Sequence, residues 1–385
     1  MVIPLIVLFF WTVYLARVIT IYIAAKKHRQ KFNTINYDAE LFHEQLPTVS
    51  VIVPARDEEN NIIECLNSII NSNYPKDKFE IVVINDRSTD NTLELINSIK
   101  NQASVNIVVC DIKEEGYYEK SHLLGKPRAI KEGIDMAKGD IFLLTDADCV
   151  VKPDWIYNVV WHFIDGQKDN IGMVCGYTTL KTTSMFHCFQ AAEWTYMHTY
   201  GCAGVYLDTV LGCFGNNISL TRTAYETVGT YNNLRFSVTE DYVLLDAVHK
   251  SKFSVRYLCS NNTAVETLPL NTFKQYLKQR KRWALGALDL GWKAVVYVFS
   301  SVCLWIAAGV SIWSENWYLL FGSCVLRMLG DIFILFPIFR ILKINYLKKY
   351  IPLSVCFYTV VEFILPFLII DQKIDWKDQM FYRKK

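Results

Sequence analysis

The chain has 385 residues, more than one ordinary domain needs, and 52% of them are hydrophobic, a share that places part of the chain in lipid. Its 40 basic and 38 acidic side chains leave a net charge of +2, which argues against nucleic acid as the main partner. The 11 cysteines form no Cys-x-x-Cys pair and several lie in apolar runs, so a disulfide framework and a zinc site are both disfavoured, and reduced thiols in a cytosolic domain are expected.

The first element is the apolar run Val2 to Ala25, which at about 1.5 Å per residue spans the roughly 30 Å hydrocarbon layer with some tilt. A secretory signal would carry its charge ahead of the apolar run. Here Lys26, Lys27, Arg29 and Lys31 follow it, which predicts an uncleaved anchor over residues 1–25 with the next segment in the cytoplasm. Roughly 250 residues then separate this run from the next long apolar stretch, enough for one well-buried domain, taken as residues 46–268.

Within that domain Val49 to Val53 is a β-branched run ended by Pro54, and Glu58 to Ser72 has the helical period, with Ile62, Leu66, Ile69 and Ile70 on one face. Phe79 to Ile84 is the next buried strand, followed by Asp86 to Asn91, a helix over Thr92 to Ile99 and a third strand over Val105 to Val109. Strands alternating with helices predict an α/β fold with a mainly parallel sheet and helices on both faces. Neither a Gly-x-Gly-x-x-Gly after the first strand nor a Gly-x-x-x-x-Gly-Lys-Ser/Thr is present, which disfavours a nicotinamide cofactor and a P-loop. Asp86 at a strand end is placed to accept from a base or ribose donor; alternatively Asp86 and Asp90 cap the helix that starts at Thr92. Gly125-Lys126-Pro127-Arg128 precedes a helix over Ala129 to Ala137 and offers a cation and free amides to an anion, or is a surface turn.

The fourth strand, Ile141 to Leu144, ends at Thr145-Asp146-Ala147-Asp148. In an extended backbone Asp146 and Asp148 leave on the same side, toward the crevice beyond the strand ends. Two carboxylates about 4 Å apart repel by about 4 kcal/mol at an effective dielectric near 20, so the pair needs a proton, strong hydrogen bonds or a hard divalent cation; on its own it is equally a solvated turn. Pro54 to Glu58, Asp86 to Asp90 and Asp146 to Asp148 should converge at this edge. Met185 to Leu211, rich in aromatic and small residues, reads as helical, either at the membrane surface and acceptor side or as ordinary core. Gly215 to Leu220 reads as a strand entering the site, and Thr239-Glu240-Asp241 opens a helix with Thr239 as its cap.

Leu270 to Leu290 is an amphipathic helix with Lys274, Lys278, Arg280, Lys281 and Arg282 beside Phe273, Tyr276, Leu277 and Trp283, which reads as lying in the headgroup plane (residues 269–292). Gln279 and Arg282 are one turn apart on one face; Arg282 suits a diphosphate and Trp283 the face of a sugar ring. Three apolar runs follow between 293 and 371: Ala294 to Trp313, Tyr318 to Phe339 and Ile351 to Ile370. Three crossings would leave the basic tail, 372–385, outside, although Lys373, Lys377, Arg383, Lys384 and Lys385 prefer the inside.

Taken in order, Asp86, Asp146-Ala147-Asp148, Glu240-Asp241 and Gln279-x-x-Arg282-Trp283, set between an amino-terminal span and carboxy-terminal spans, resemble the membrane-embedded family 2 glycosyltransferases of the GT-A fold. That branch includes cellulose, hyaluronan and poly-N-acetylglucosamine synthases and ceramide glucosyltransferase. The resemblance covers Val49 to Trp283. It implies that Asp86 holds the donor's base, that Pro54, Arg56 and Glu58 line the nucleoside pocket, and that Lys126 and Asp146 also serve the donor. Asp148, helped by Asp146, would hold Mg or Mn on the diphosphate, and Asp241 would be the general base. Glu240, Gln279, Arg282 and Trp283 would contact the diphosphate and acceptor end. The expected activity is inverting transfer from a nucleotide sugar, a UDP-sugar, to a lipid or glycan acceptor, in an integral membrane protein of a bacterial inner membrane or its equivalent. A processive polysaccharide synthase is the alternative within the family. A nucleotidylyltransferase, which would release pyrophosphate, and a non-catalytic membrane scaffold are the readings from other classes.

Overall fold

The computed structural model describes residues 2–32, 43–113, 123, 125–165, 169–235, 237–376 and 379–382. Lys377 and residues 383–385 of the basic tail lie outside them. In chain order the elements are α1 (Val2–Phe32), β1 (Val49–Ala55), α2 (Ile62–Ile70), β2 (Phe79–Asp86), α3 (Thr92–Lys100), β3 (Asn106–Ile112), α4 (Lys126–Met136), β4 (Ile141–Leu144), α5 (Trp155–Asp165), β5 (Ile171–Gly176), β6 (Thr178–Leu180) and α6 (Met185–Tyr206). They continue with β7 (Ile218–Thr221), α7 (Arg222–Thr227), α8 (Thr230–Asn233), α9 (Glu240–His249), β8 (Ser254–Leu258), β9 (Val265–Thr267), α10 (Phe273–Ala287), α11 (Trp292–Trp313), α12 (Trp317–Ile341), α13 (Ile351–Leu368), β10 (Lys373–Trp376) and β11 (Gln379–Tyr382). The chain forms two compact units: Arg29–Lys181 with Gly212–Leu268, and Met1–His28 with Thr182–Leu211 and Pro269–Lys385.

The first unit is built on a seven-stranded sheet in the order β3-β2-β1-β4-β7-β5-β8. β3, β2, β1 and β4 are mutually parallel, β7 runs antiparallel to both β4 and β5, and β5 is parallel to β8. β2 is buried along its whole length, as a near-continuous apolar strand covered on both faces should be. One face packs Val51, Val53, Ile81 and Val83 against Ile62, Leu66 and Ile69 of α2. On the other face α4 rests directly on the sheet, because a Cβ at Gly133 would lie 2.4 Å from Ile84 and 2.9 Å from Ile52.

Two of the boundaries that differ from the sequence expectation are set by neighbouring elements. β1 runs through Pro54 and pairs with β2 as far as Ala55, while its pairing to β4 stops at Ile52. Past that point no neighbour on the β4 side requires the missing N–H of Pro54. α2 starts at Ile62 rather than Glu58, because the amides of Glu58 and Glu59 donate to Thr92 Oγ1 (2.8 Å) and Asp90 Oδ2 (3.1 Å).

In the second unit α1 and α12 run in the same direction: Trp11 donates to Ser323 Oγ (2.9 Å), Tyr14 to the Arg327 carbonyl (3.4 Å), and Tyr22 lies on Phe333. α12 admits the Trp11 and Tyr14 side chains at Gly322 and Gly330, where a Cβ would come 2.5 Å from the Trp11 ring and 2.5 Å from the Tyr14 hydroxyl. The ends of α1 and α12 that follow their apolar runs carry Lys26 and Lys27 on one and Arg340 on the other, so both place positive charge at the same end of the pair. Three helices are long and apolar enough to cross a membrane: Val2–Phe32, Trp317–Ile341 and Asn345–Leu368. α11 runs from Trp292 to Trp313, and its fully described stretch Val298–Trp313 is a shorter apolar helix; among the described residues two of the three expected carboxy-terminal runs meet the length. Past α13, Asp371 pairs with Lys281 of α10 at 2.9 Å.

Arg327 reaches Asp331 (3.5 Å), as their spacing of four predicts, and also Glu362 of α13 (2.8 Å), which in turn accepts from Trp305 (3.2 Å). Removing the guanidinium leaves two carboxylates without their cation. Arg327→Leu is therefore expected to cost about 3 to 5 kcal/mol, read as a lowered denaturation midpoint in detergent; a midpoint equal to the wild type's would show that the pair contributes nothing.

Candidate active site

β4 ends at Leu144, and the Cys149 N–H then closes a turn on the Asp146 carbonyl (3.1 Å). Asp146 and Asp148 therefore stand on a turn rather than an extended strand. The turn, not strand alternation, makes them neighbours, and this replaces the same-side argument drawn from the sequence. Lys126, at the first position of α4, puts its Nζ 2.5 Å from Asp146 Oδ1 and 3.9 Å from Glu240 Oε1. Gly125-Lys126-Pro127-Arg128 is thus the start of a helix: Gly125 has φ +61° and Pro127 sits in the first turn, where no intrahelical N–H is required.

Gly215 closes the group. A Cβ there would lie 3.5 Å from Glu240 Oε1, 3.6 Å from Asp241 Cβ and 3.6 Å from Lys126 Nζ. Its own N–H donates to Asp241 Oδ2 (2.9 Å), the Tyr242 N–H donates to Asp241 Oδ1 (2.8 Å), and the Cys213 thiol donates to the Asp241 carbonyl (3.4 Å). Thr239 makes no side-chain cap bond, contrary to expectation. The two acids behind it occupy the first turn of α9, where a carboxylate complements the helix dipole. Residues 215–217 form a turn, and the strand expected from Gly215 begins at Ile218.

Negative charge dominates here. Burial pushes the Asp148 carboxyl up to about 6, reinforced by the Asp146 and Glu58 carboxylates, with the Cys149 thiol and Lys126 opposing. Burial works against the charge of Lys126 as well, yet Asp146, Glu240 and Asp241 more than offset it and raise its pKa above the ordinary lysine value. The carboxylates of Glu58, Asp146, Asp148, Glu240 and Asp241 outnumber the Lys126 ammonium, and all are hard oxygen donors. Asp146 and Asp148 suit a Mg or Mn ion that takes its remaining ligands from water and phosphate. Among the described residues no group of three or more His, Cys, Asp or Glu side chains is gathered as a metal site.

The loops after β1 and β2 are stitched to each other. Asp57 accepts from the Thr89 N–H (2.8 Å) and donates its own N–H to Ser88 Oγ (3.0 Å), while Glu59 accepts from the Asn91 N–H (3.1 Å). Asp90 accepts from the Thr92 N–H (3.0 Å) at the start of α3, and hydrogen bonds from Thr92 and Glu59 outweigh burial and hold its carboxyl below the usual range. Asp86, buried at the end of β2, accepts from Arg87 Nε (3.0 Å). Pro54 and Arg56 lie at the end of β1, with Arg56 3.7 Å from Asp57. Glu58 accepts from Asn61 (2.8 Å) and acts electrostatically on Asp148.

Gln279, Arg282 and Trp283 lie on α10, in the helical unit. The sequence reading left Gly215 without a role and did not single out Glu193, which accepts from Arg280 Nε at 2.9 Å. Gly215 carried a signal, a glycine just ahead of an Asn-Asn turn; Glu193 sits in an aromatic helix and carried none.

The family model described as glycosyl transferase family 2 matches residues 50–229, and that described as glycosyl transferase family group 2 matches residues 141–370. Among curated proteins the chain is similar to the probable glycosyltransferase YdaM of Bacillus subtilis, 26% identical over 257 residues, which cover 63% of this chain and 56% of the relative. It is similar to a poly-beta-1,6-N-acetyl-D-glucosamine synthase of Staphylococcus epidermidis (26% over 256 residues, 64% and 56%) and to a beta-monoglucosyldiacylglycerol synthase of Nostoc sp. (25% over 244 residues, 63% and 49%). The chain spans about half the length of the curated relatives it matches. The mannosyltransferase PcManGT from Pyrobaculum calidifontis shares its fold at a TM-score of 0.55, with 17% identity over 94% of this chain and 99% of that one. The mainly parallel sheet is that of a GT-A transferase. The chain belongs to glycosyltransferase family 2.

Proposed function

We propose that this glycosyltransferase is inverting and metal-dependent, and that it moves a sugar from a UDP-sugar to a lipid or amphiphilic acceptor at the cytosolic membrane face. The observation that carries the reading is the grouping of Lys126, Asp146, Glu240 and Asp241 around Gly215. In one displacement the acceptor oxygen bonds to the anomeric carbon as the carbon–oxygen bond to the diphosphate breaks. The acceptor proton passes to Asp241, and the nucleoside diphosphate leaves. Asp241 suits the role because two backbone N–H groups fix its carboxylate in the first turn of α9, beside Gly215. A Mg or Mn ion held by Asp146 and Asp148 would supply positive charge to the leaving diphosphate; PcManGT is known with GDP-Man and Mn2+. Lys126, kept protonated, adds a fixed cation to the donor side. Pro54, Arg56, Glu58 and Asp86 take the nucleoside, and Gln279, Arg282 and Trp283 take the diphosphate and acceptor end.

The beta-monoglucosyldiacylglycerol synthase among the relatives supports a lipid acceptor, and the poly-beta-1,6-N-acetyl-D-glucosamine synthases support a processive second reading. Membranes containing the chain, given UDP- and GDP-sugars with and without a chelator, test the first: chelator-sensitive transfer of a single sugar is expected, whereas long products establish the second. For orientation, the Lys281–Asp371 pair beside α10 supports a tail on the cytosolic face, the same face as α10. A cysteine at the tail should then be labelled only once membranes are permeabilised.

The raised Asp148 carboxyl makes metal and proton compete. Without metal, the folded chain keeps a proton between about pH 4 and pH 6 that the unfolded chain has released, so stability falls as pH rises through that window. Bound metal requires the ionised form. The rise in melting temperature on adding Mn should therefore be larger at pH 7 than at pH 5; equal rises would separate Asp148 from the metal.

A further inference from the structure

We infer that Glu193 and Arg280 are positioning residues for the Gln279-x-x-Arg282-Trp283 motif, a step that rests on the acceptor-end role proposed for that motif. Arg280 lies inside the motif but is buried, 4% exposed. Its Nε donates to both oxygens of Glu193 at 2.9 Å, and its Nη2 lies 2.5 Å from Glu193 Oε2. Tyr276 donates to the same carboxylate at 2.8 Å. The guanidinium sits 4.2 Å from the ring centroids of both Tyr276 and Trp283, and its Nη1 bonds the Gln279 side-chain oxygen. One planar cation thus holds both Gln279 and Trp283, a task that needs the fork and flat faces of arginine.

The grip on α10 comes from one face of α6. Gln190, Glu193 and Trp194 are spaced i, i+3, i+4 and so project together. Gln190 exchanges two hydrogen bonds with the Leu270 backbone (2.8 and 3.0 Å), Glu193 takes Arg280, and the Trp194 ring meets Trp283 at 5.3 Å and 66°. The carboxylate of Glu193 offsets the charge of the buried Arg280. Glu193 and Arg280 set where Gln279 and the Trp283 ring lie, and with them how the acceptor end is received.

The test compares the wild-type full chain with Glu193→Gln, Arg280→Lys and the double variant. The donors are UDP-glucose and UDP-N-acetylglucosamine. The acceptors are a diacylglycerol in phospholipid vesicles and a short N-acetylglucosamine oligosaccharide. Glu193→Gln should raise the acceptor KM about tenfold, raise the donor KM less because Gln279 and Trp283 also meet the diphosphate, and lower acceptor-free, metal-dependent donor hydrolysis far less than transfer. Arg280→Lys keeps the charge but not the fork and should behave alike. The double variant should lose no more than either single one, because both break the same contact. Wild-type acceptor kinetics in Glu193→Gln, or donor hydrolysis falling in step with transfer, would overturn the assignment. If Glu193→Gln does not accumulate folded, Glu193→Asp gives the same comparison. A wild-type chain that neither transfers nor hydrolyses any sugar nucleotide sinks the proposed function itself, which is a distinct result.

Discussion

Asp241→Asn is expected to lower sugar transfer by about 10² to 10⁴-fold, the usual contribution of a positioned base, while donor affinity stays at its wild-type level. The asparagine keeps the shape and one oxygen that can still accept from Gly215 or Tyr242, so the first turn of α9 should persist. What disappears is the ability to take a proton from the attacking hydroxyl. The neighbouring Glu240 cannot easily substitute, because it is buried and faces Lys126. Rates from initial-velocity assays and donor binding from titration calorimetry check the split. Transfer at the wild-type rate with donor bound would take the base assignment away from Asp241.

A comparable loss is expected on removing the metal. A chelator should abolish transfer, with recovery on adding Mg or Mn, and Asp148→Asn should cost about 10²-fold or more, above the loss typical of residues that only support a metal ligand. The metal-free site explains the size of the effect. With the single Lys126 ammonium facing the acids Glu58, Asp146, Asp148, Glu240 and Asp241, the surplus negative charge of the site would oppose a diphosphate rather than hold it. Donor affinity should therefore fall together with rate in Asp148→Asn, unlike Asp241→Asn. If the two variants gave the same pattern, the division between donor-holding and proton-accepting acids would not stand.

Much of this was legible in the residues. Ile141 to Leu144 is a strand at the bounds its apolar run indicates, and the alternation of strands and helices from Val49 onward yields the parallel sheet. The apolar runs of α1, α12 and α13 stand out by length alone. Less legible was anything that depends on a distant partner. β1 outlasts Pro54 because β4 has already stopped pairing, and α2 starts late because Glu58 and Glu59 lend their amides to Thr92 and Asp90. Of the charged residues in Gln279 to Trp283, the spacing drew attention to Arg282, while the deeply held one is Arg280, whose partner lies on α6.

The sequence by itself determined what is local and periodic: which segments are strands, helices or apolar runs, and which strand ends carry acids. Those properties follow from side-chain spacing and burial along a few turns of chain. Only the tertiary structure decided which acids share a neighbourhood, that Lys126 is wedged between Asp146 and Glu240, and that Gly215 leaves room for Asp241 beside them. Electrostatic coupling falls with distance through space and is indifferent to separation along the chain, so the pairing of charges is settled when the elements pack and not before.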